Sequence, residues 1–166
     1  MLFAQIRTER VDAHQVPPRK EVELDNSRLE KQVQRGLNVW MPMKNRMQMP
    51  ALLQYLRGAL PGIHEVLEGL HYIHFARFMP SPDFTIMWVV TEYDGELDSY
   101  IMDFVGLVGQ QFNEILQFIG DAPPLPVQRY PRDFVKYITA HNLPITPWSA
   151  YPSNTVIDIQ RSARRM

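Results

Sequence analysis

The run His71-Tyr72-Ile73-His74-Phe75-Ala76-Arg77-Phe78, a turn at Ser81-Pro82-Asp83, and the run Phe84-Thr85-Ile86-Met87-Trp88-Val89-Val90-Thr91-Glu92-Tyr93 decide the fold of this chain. Asp94-Gly95 and a long amphipathic stretch to Gly120 follow directly. Both runs are rich in β-branched and aromatic residues and are joined by a tight turn, so they form an antiparallel pair of strands. Alternation puts Ile73, Phe75 and Arg77 on one face of the first strand and His74, Ala76 and Phe78 on the other. On the second strand Ile86, Trp88, Val90 and Glu92 oppose Thr85, Met87, Val89 and Thr91. Both faces are mostly apolar, so both faces need cover. Downstream, Leu97, Ile101, Phe104, Val105, Val108, Phe112, Ile115, Leu116 and Ile119 repeat at helical period. Asp94 is the expected N-cap of this helix, with Glu96 and Asp98 in its first turn and Gly120 as its stop. Gly106 and Gly109 leave room for close approach of another element.

Working outward, residues 37–43 alternate and predict a strand ended by Pro42. Met49, Leu52, Leu53, Leu56 and Leu60 mark a helix with Pro50 in its first turn. Pro61-Gly62 predicts a kinked or two-piece helix that ends at Gly69. On the other side, residues 121–127 are a proline-rich connector. Pro131-Arg132-Asp133 opens a short helix over residues 134–141, and a last core strand is expected at 147–151. Asn154-Thr155 starts a terminal helix that ends in Arg161, Arg164 and Arg165. Residues 1–36 are polar and read as an arm, with a short strand at 2–7 and a short helix over 28–33 capped by Asn26 or Ser27. Residues 37–166 form the α+β domain with its helical tail.

Bulk properties narrow the function classes. The formal net charge of −1 gives no overall field for nucleic acid or an anionic membrane. No cysteine is present, which removes disulfides, thiolate metal sites and cysteine nucleophiles. No apolar run approaches the roughly 20 residues of a membrane span, and the start lacks the apolar core of a signal peptide. The chain reads as cytoplasmic. Glycine-rich phosphate loops, Gly-x-Ser-x-Gly and His-Glu-x-x-His are absent, which disfavours nucleotide binding, serine hydrolysis and zinc-protease chemistry.

The element order is strand, helix, strand, strand, helix, short helix, strand. This is the ferredoxin-like βαββαβ plan, an α+β fold with an antiparallel sheet and helices on one face. The uncovered apolar face then asks for a second sheet, most simply from an identical subunit. Over residues 37–151 the chain resembles the dimeric α+β barrel superfamily, which includes antibiotic-biosynthesis-type monooxygenases and dye-decolourising peroxidases. More narrowly, Ile73-His74-Phe75-Ala76-Arg77-Phe78, Glu92-Tyr93-Asp94-Gly95 and Ala150-Tyr151-Pro152-Ser153-Asn154-Thr155-Val156 look like little-characterised bacterial domains of that kind. The peroxidases carry Gly-x-x-Asp-Gly at their haem. This chain keeps Asp94-Gly95 but has Thr91 in place of the first glycine.

The candidate site residues are His74, Arg77, Tyr93 and Asp94. His74 is either a satisfied core or interface histidine or a group facing a cleft, as an acid/base or, where the resemblance to haem proteins applies, an axial haem ligand. Arg77 is expected to pair with Glu92. Tyr93 and Asp94 sit at a strand-to-helix junction, where a phenol and a carboxylate can act on a substrate. His71 and His74 fall on opposite strand faces and cannot share an ion, and no metal site is predicted. Met41, Met43, Met47 and Met49 read as core and interface filling, His141 as a surface residue, and Trp40 and Trp148 as lining a pocket or the subunit interface. Two functions remain open. One is a non-catalytic binding or accessory module, a homodimer holding a small hydrophobic ligand. The other is an oxidative enzyme, cofactor-independent or haem-dependent, acting on a small hydrophobic substrate.

Overall fold

The computed structural model describes residues 32–143, 145 and 147–165. The short strand at 2–7 and the Asn26/Ser27 cap lie outside the described residues, as does most of the expected helix at 28–33. The described chain runs β1 (Gln34–Pro42), α1 (Met49–Gly69), β2 (Ile73–Pro80), β3 (Ile86–Asp94), α2 (Leu97–Leu116), α3 (Pro131–His141) and α4 (Val156–Ala163), with one 3₁₀ turn at Arg46–Gln48. The three strands make one antiparallel sheet in the order β1-β3-β2. No described helix is long and apolar enough to cross a membrane.

β3 is the central strand, and its alternation is strict. Met87, Val89, Thr91 and Tyr93 are buried, whereas Ile86, Trp88, Val90, Glu92 and Asp94 are half-buried. Register carries this across the sheet: Val39 lies opposite Val89, Trp40 opposite Trp88 and Met41 opposite Met87. The inner face, with Leu37, Val39, Met41, Met87 and Val89, forms the core with α1, α2 and α3. A line of ring contacts runs through that core. Tyr93 stacks on Tyr100 at 4.1 Å, Tyr100 meets Phe104 at 4.7 Å, and Phe104, Phe112 and Phe134 follow at 5.9 and 5.6 Å. Met41 and Met49 are core, whereas Met47 is exposed.

The structure departs from the sequence reading in several places. α1 runs unbroken through Pro61. Pro61 and Arg57, whose carbonyl loses its hydrogen bond, both lie on the exposed side, where water can replace the missing donor. α2 starts after Glu96 rather than Asp94, and its cap makes no side-chain hydrogen bond. Gly95, at φ +96, turns the chain so that the Asp94 carboxylate points away from α2. Val108 leaves helical geometry (φ −124, ψ 16) and kinks α2. At Gly109 a Cβ would stand 2.6 Å from the Gln128 amide, so glycine there lets the connector pack onto the helix.

The expected last strand at 147–151 does not form. Its place along the outer edge of β1 is taken by an irregular run. Asn142 bridges Val39, the Asn142 Oδ1 accepts from the Asn38 amide at 2.9 Å, and the Leu143 amide donates to the Asn38 carbonyl at 2.9 Å. Beyond that, apart from the Val33 amide donating to the Pro152 carbonyl at 2.9 Å, side chains make the contacts. Gln32 Nε2 donates to the Pro147 carbonyl at 2.8 Å, and Gln34 Nε2 to the Tyr151 and Asn154 carbonyls at 3.2 and 3.0 Å. Pro147 has no N–H to offer a ladder.

Asn113 ties the connector to α2. Its Oδ1 accepts from the buried Val127 amide at 2.8 Å, and its Nδ2 donates to Gln128 Oε1 at 2.9 Å. Asn113→Ala strands the Val127 N–H inside the core. Chemical denaturation should show a loss of about 1–3 kcal/mol, the usual cost of an unmade buried hydrogen bond.

Candidate functional site

A β-bulge builds the site. Ile73 pairs with Tyr93, but Phe75 pairs with Glu92, so β2 holds one residue more than β3 between these points. That extra residue is His74. The slip separates Ile73, which packs on the core, from Phe75 and Arg77, and brings His74 to Asp94 at the end of β3. The simple alternation expected from sequence, with Ile73 on the face of Phe75 and His74 on the face of Ala76, is corrected by this bulge. Bulges re-aim side chains in this way.

His74 Nε2 and Asp94 Oδ1 are 2.8 Å apart. The second carboxylate oxygen, Asp94 Oδ2, accepts from the Val156 amide at 2.8 Å, at the first residue of α4. A carboxylate only accepts, so the proton of this pair sits on Nε2. Asp94 is therefore a clasp between β2 and α4. α4 begins there because Thr155 and Asp158 form a reciprocal capping box.

The other predicted residues do not join the pair. Tyr93 is buried on the opposite face, stacked on Tyr100, whose hydroxyl bonds to Thr91. Burial pushes the Tyr93 phenol above its ordinary range, with Arg35 opposing and Glu96 adding to the shift. Arg77 is exposed and makes no ion pair with Glu92 among the described residues; its guanidinium lies 5.7 Å from the Phe75 ring. This replaces the expected buried pair, because β2 is an edge strand and the long side chain reaches solvent. Glu92 lies near both His74 and Arg77. Burial raises its carboxyl above the usual range, and the charges of those two residues pull against the rise.

His74 lines an open groove of about 620 Å³ between the C-terminal half of α1, the edge of β2 and the start of α4. Leu67, Leu70 and Phe75 supply apolar walls, and His64, Glu68 and Gln160 supply polar ones. The sequence reading missed His64, Glu68, Gln160 and the Val156 amide. His64 and Glu68 are one helical turn apart, a readable spacing, but nothing local says that β2 passes beside them. A second groove of about 350 Å³ lies beside Tyr93, with Arg35, Glu96 and Asn142. The cavity within the core, between sheet, α2 and α3, measures only about 30 Å³ and is wholly apolar. That is room for water-sized guests, far below a typical ligand pocket.

His141 makes an instructive contrast. It is enclosed, not a surface residue as the sequence suggests. Its Nε2 lies 2.7 Å from Asp121 Oδ2 and its Nδ1 2.9 Å from the Tyr137 carbonyl. The rings of Trp40 and Tyr137 flank it at 4.6 and 4.2 Å. Both nitrogens are occupied, so this is a structural tie between α3, the connector and β1. Trp148, expected to line a pocket or interface, is 81% exposed.

The arrangement around His74 does not suit a haem ligand. Nε2 is committed to Asp94, and Nδ1 stands next to Cβ and the strand backbone, where a flat macrocycle is crowded. The groove walls include Glu68 and Gln160 in place of a closed apolar slot. Among the described residues no three His, Asp or Glu side chains gather to hold a metal ion. No protein-family model, curated protein or solved structure matches the chain.

Two outcomes follow from this geometry. Asp94→Ala removes the acceptor for the Val156 amide, so hydrogen exchange should speed up across α4 while α2 stays protected. The raised Glu92 carboxyl means that ionising this group opposes folding. Its neutral form is the better-tolerated one in the fold, so any advantage is present in acid and lost as pH rises through the raised value. Glu92→Gln should therefore raise the melting temperature at neutral pH and leave it unchanged below the usual carboxylate range.

Proposed function

We propose that this protein is a non-catalytic interaction module of the dimeric α+β barrel type, in which the open sheet face packs against the same face of a second copy. One observation carries the reading. Trp40, Pro42, Met79, Ile86, Trp88 and Val90 share the face turned away from the core, none is buried, and none belongs to the core cluster. Monomeric proteins seldom leave so continuous an apolar surface in water. Two such sheets pack about 10 Å apart with interdigitating side chains. A two-fold axis lets one patch serve as its own complement.

The strand order supports the ferredoxin-like plan within this proposal. A helix follows β1 and another follows β3, and the run from Asn142 passes antiparallel along the outer edge of β1, where a fourth strand of that plan belongs. The oxidative-enzyme alternative is weaker, because it needs a closed substrate site and the core cavity is about 30 Å³. A small hydrophobic ligand, on this reading, sits between the two sheets.

Sedimentation velocity on the full chain at tens of micromolar should show a dimer. Trp88→Asp places a charge in the middle of the joined faces, where an unpaired ion costs several kcal/mol. It should weaken the dimer by about 100-fold or more, since each 1.4 kcal/mol is tenfold. Trp148→Phe, at an exposed position outside the sheet, should leave it intact. A wild-type protein that stays monomeric at this concentration overturns the proposal.

A further inference from the structure

We propose that His74 and Asp94 form a proton-accepting binding site for small uncharged phenols in the groove between α1, β2 and α4. This inference does not depend on the dimer. Among the described residues there are two His–Asp pairs, and they differ in one respect. His141 has both ring nitrogens bonded within the protein. His74 has only Nε2 bonded, and its Nδ1 has no partner among the described residues and is not among the buried atoms left unsatisfied. A neutral ring that donates its Nε2–H to Asp94 keeps a lone pair on Nδ1, and His74 is a wall of the groove.

Three features make this a site rather than a stray base. Asp94 is itself fixed, because its second oxygen holds the Val156 amide. It cannot swing to another partner without releasing α4, so the tautomer of His74 is set by the fold. The bulge at His74 spends a residue of an edge strand on this orientation. The groove is open, and its volume is in the range of small-molecule sites.

The walls indicate the ligand class. Leu67, Leu70 and the Phe75 ring offer a surface for a flat apolar body. Glu68 and Asp94 repel anions, so the guest enters uncharged. Nδ1 needs a donor, and a hydroxyl on an aromatic ring supplies one acidic enough to share or give up its proton. In the transfer the phenol O–H bond breaks, the Nδ1–H bond forms, and the electron pair stays on oxygen. No other reactant is consumed. The imidazolium so formed lies between the Asp94 carboxylate and the new phenolate, with opposite charge on either side.

The probe is 4-nitrophenol, whose phenolate absorbs visible light while the neutral form does not. Full-length protein added at a pH where the free probe is mostly neutral should raise the phenolate absorbance several-fold, saturating with protein. His71→Gln, at an exposed histidine outside the groove, should behave as the wild type. His74→Gln should abolish the rise. Absence of a rise with the wild type, or a rise that survives His74→Gln, overturns the proposal. Should His74→Gln fail to fold, nitrogen-15 spectra of the histidine-labelled wild type decide. Protonation of His74 on Nε2, with Nδ1 shifted by the probe, supports the site, and protonation on Nδ1 overturns it.

Discussion

The structure depends on β3. Among the described strands it is the one with a strand on either side, so its side-chain alternation sets the faces of the whole sheet. Met87, Val89 and Tyr93 turn inward and join Leu37, Val39 and Met41 under α2. Thr91, the polar member of that inner row, is tolerated because its hydroxyl bonds to Tyr100. A one-residue slip would exchange this row for Trp88, Val90 and Glu92 and place the Glu92 carboxyl against Tyr100 and Phe104. Register is thus fixed by the cost of burying Glu92 as much as by the gain from burying Val89.

Much of this was legible in the sequence because it rests on period. The alternation of β3, the stripe of α2 and the proline-opened α3 are local patterns that survive into the fold. What was not legible depends on pairing. A bulge is defined by two strands together, so His74 looks like any alternating residue until Ile73 is matched to Tyr93 and Phe75 to Glu92. Asp94 shows the same limit. An Asp-Gly ahead of a helix satisfies the local rule for a cap, yet its carboxylate is claimed by His74 and by an amide 62 residues away. Pro61 fails as a breaker for a related reason, since the cost of a proline in a helix depends on which side of the helix it falls. The candidate site is half-visible: His74 and Asp94 stand out by type and position, while their contact, and the exclusion of Tyr93, need the sheet.

The two edges of the sheet are closed by different means. β1 is covered by the chain from Asn142 onward, but the cover is built largely from glutamine and asparagine side chains reaching carbonyls. Prolines in that run deny it a regular ladder, so it shields β1 without becoming a new edge that could recruit a further strand. β2 has no such cover among the described residues. It carries instead the bulge at His74, the exposed Arg77 and the terminal Pro80, all of which discourage strand addition.

That protective role and the site are linked through the same residue. A bulge twists an edge strand and leaves one residue outside the ladder. Here the residue left outside is a histidine, and the twist delivers it to a carboxylate at the end of the neighbouring strand. Asp94 then anchors α4, which forms one wall of the groove that His74 enters. Edge protection alone would be met by any residue at position 74. A histidine whose carboxylate partner also holds the Val156 amide, with one ring nitrogen lacking a partner among the described residues, is more than the edge requires.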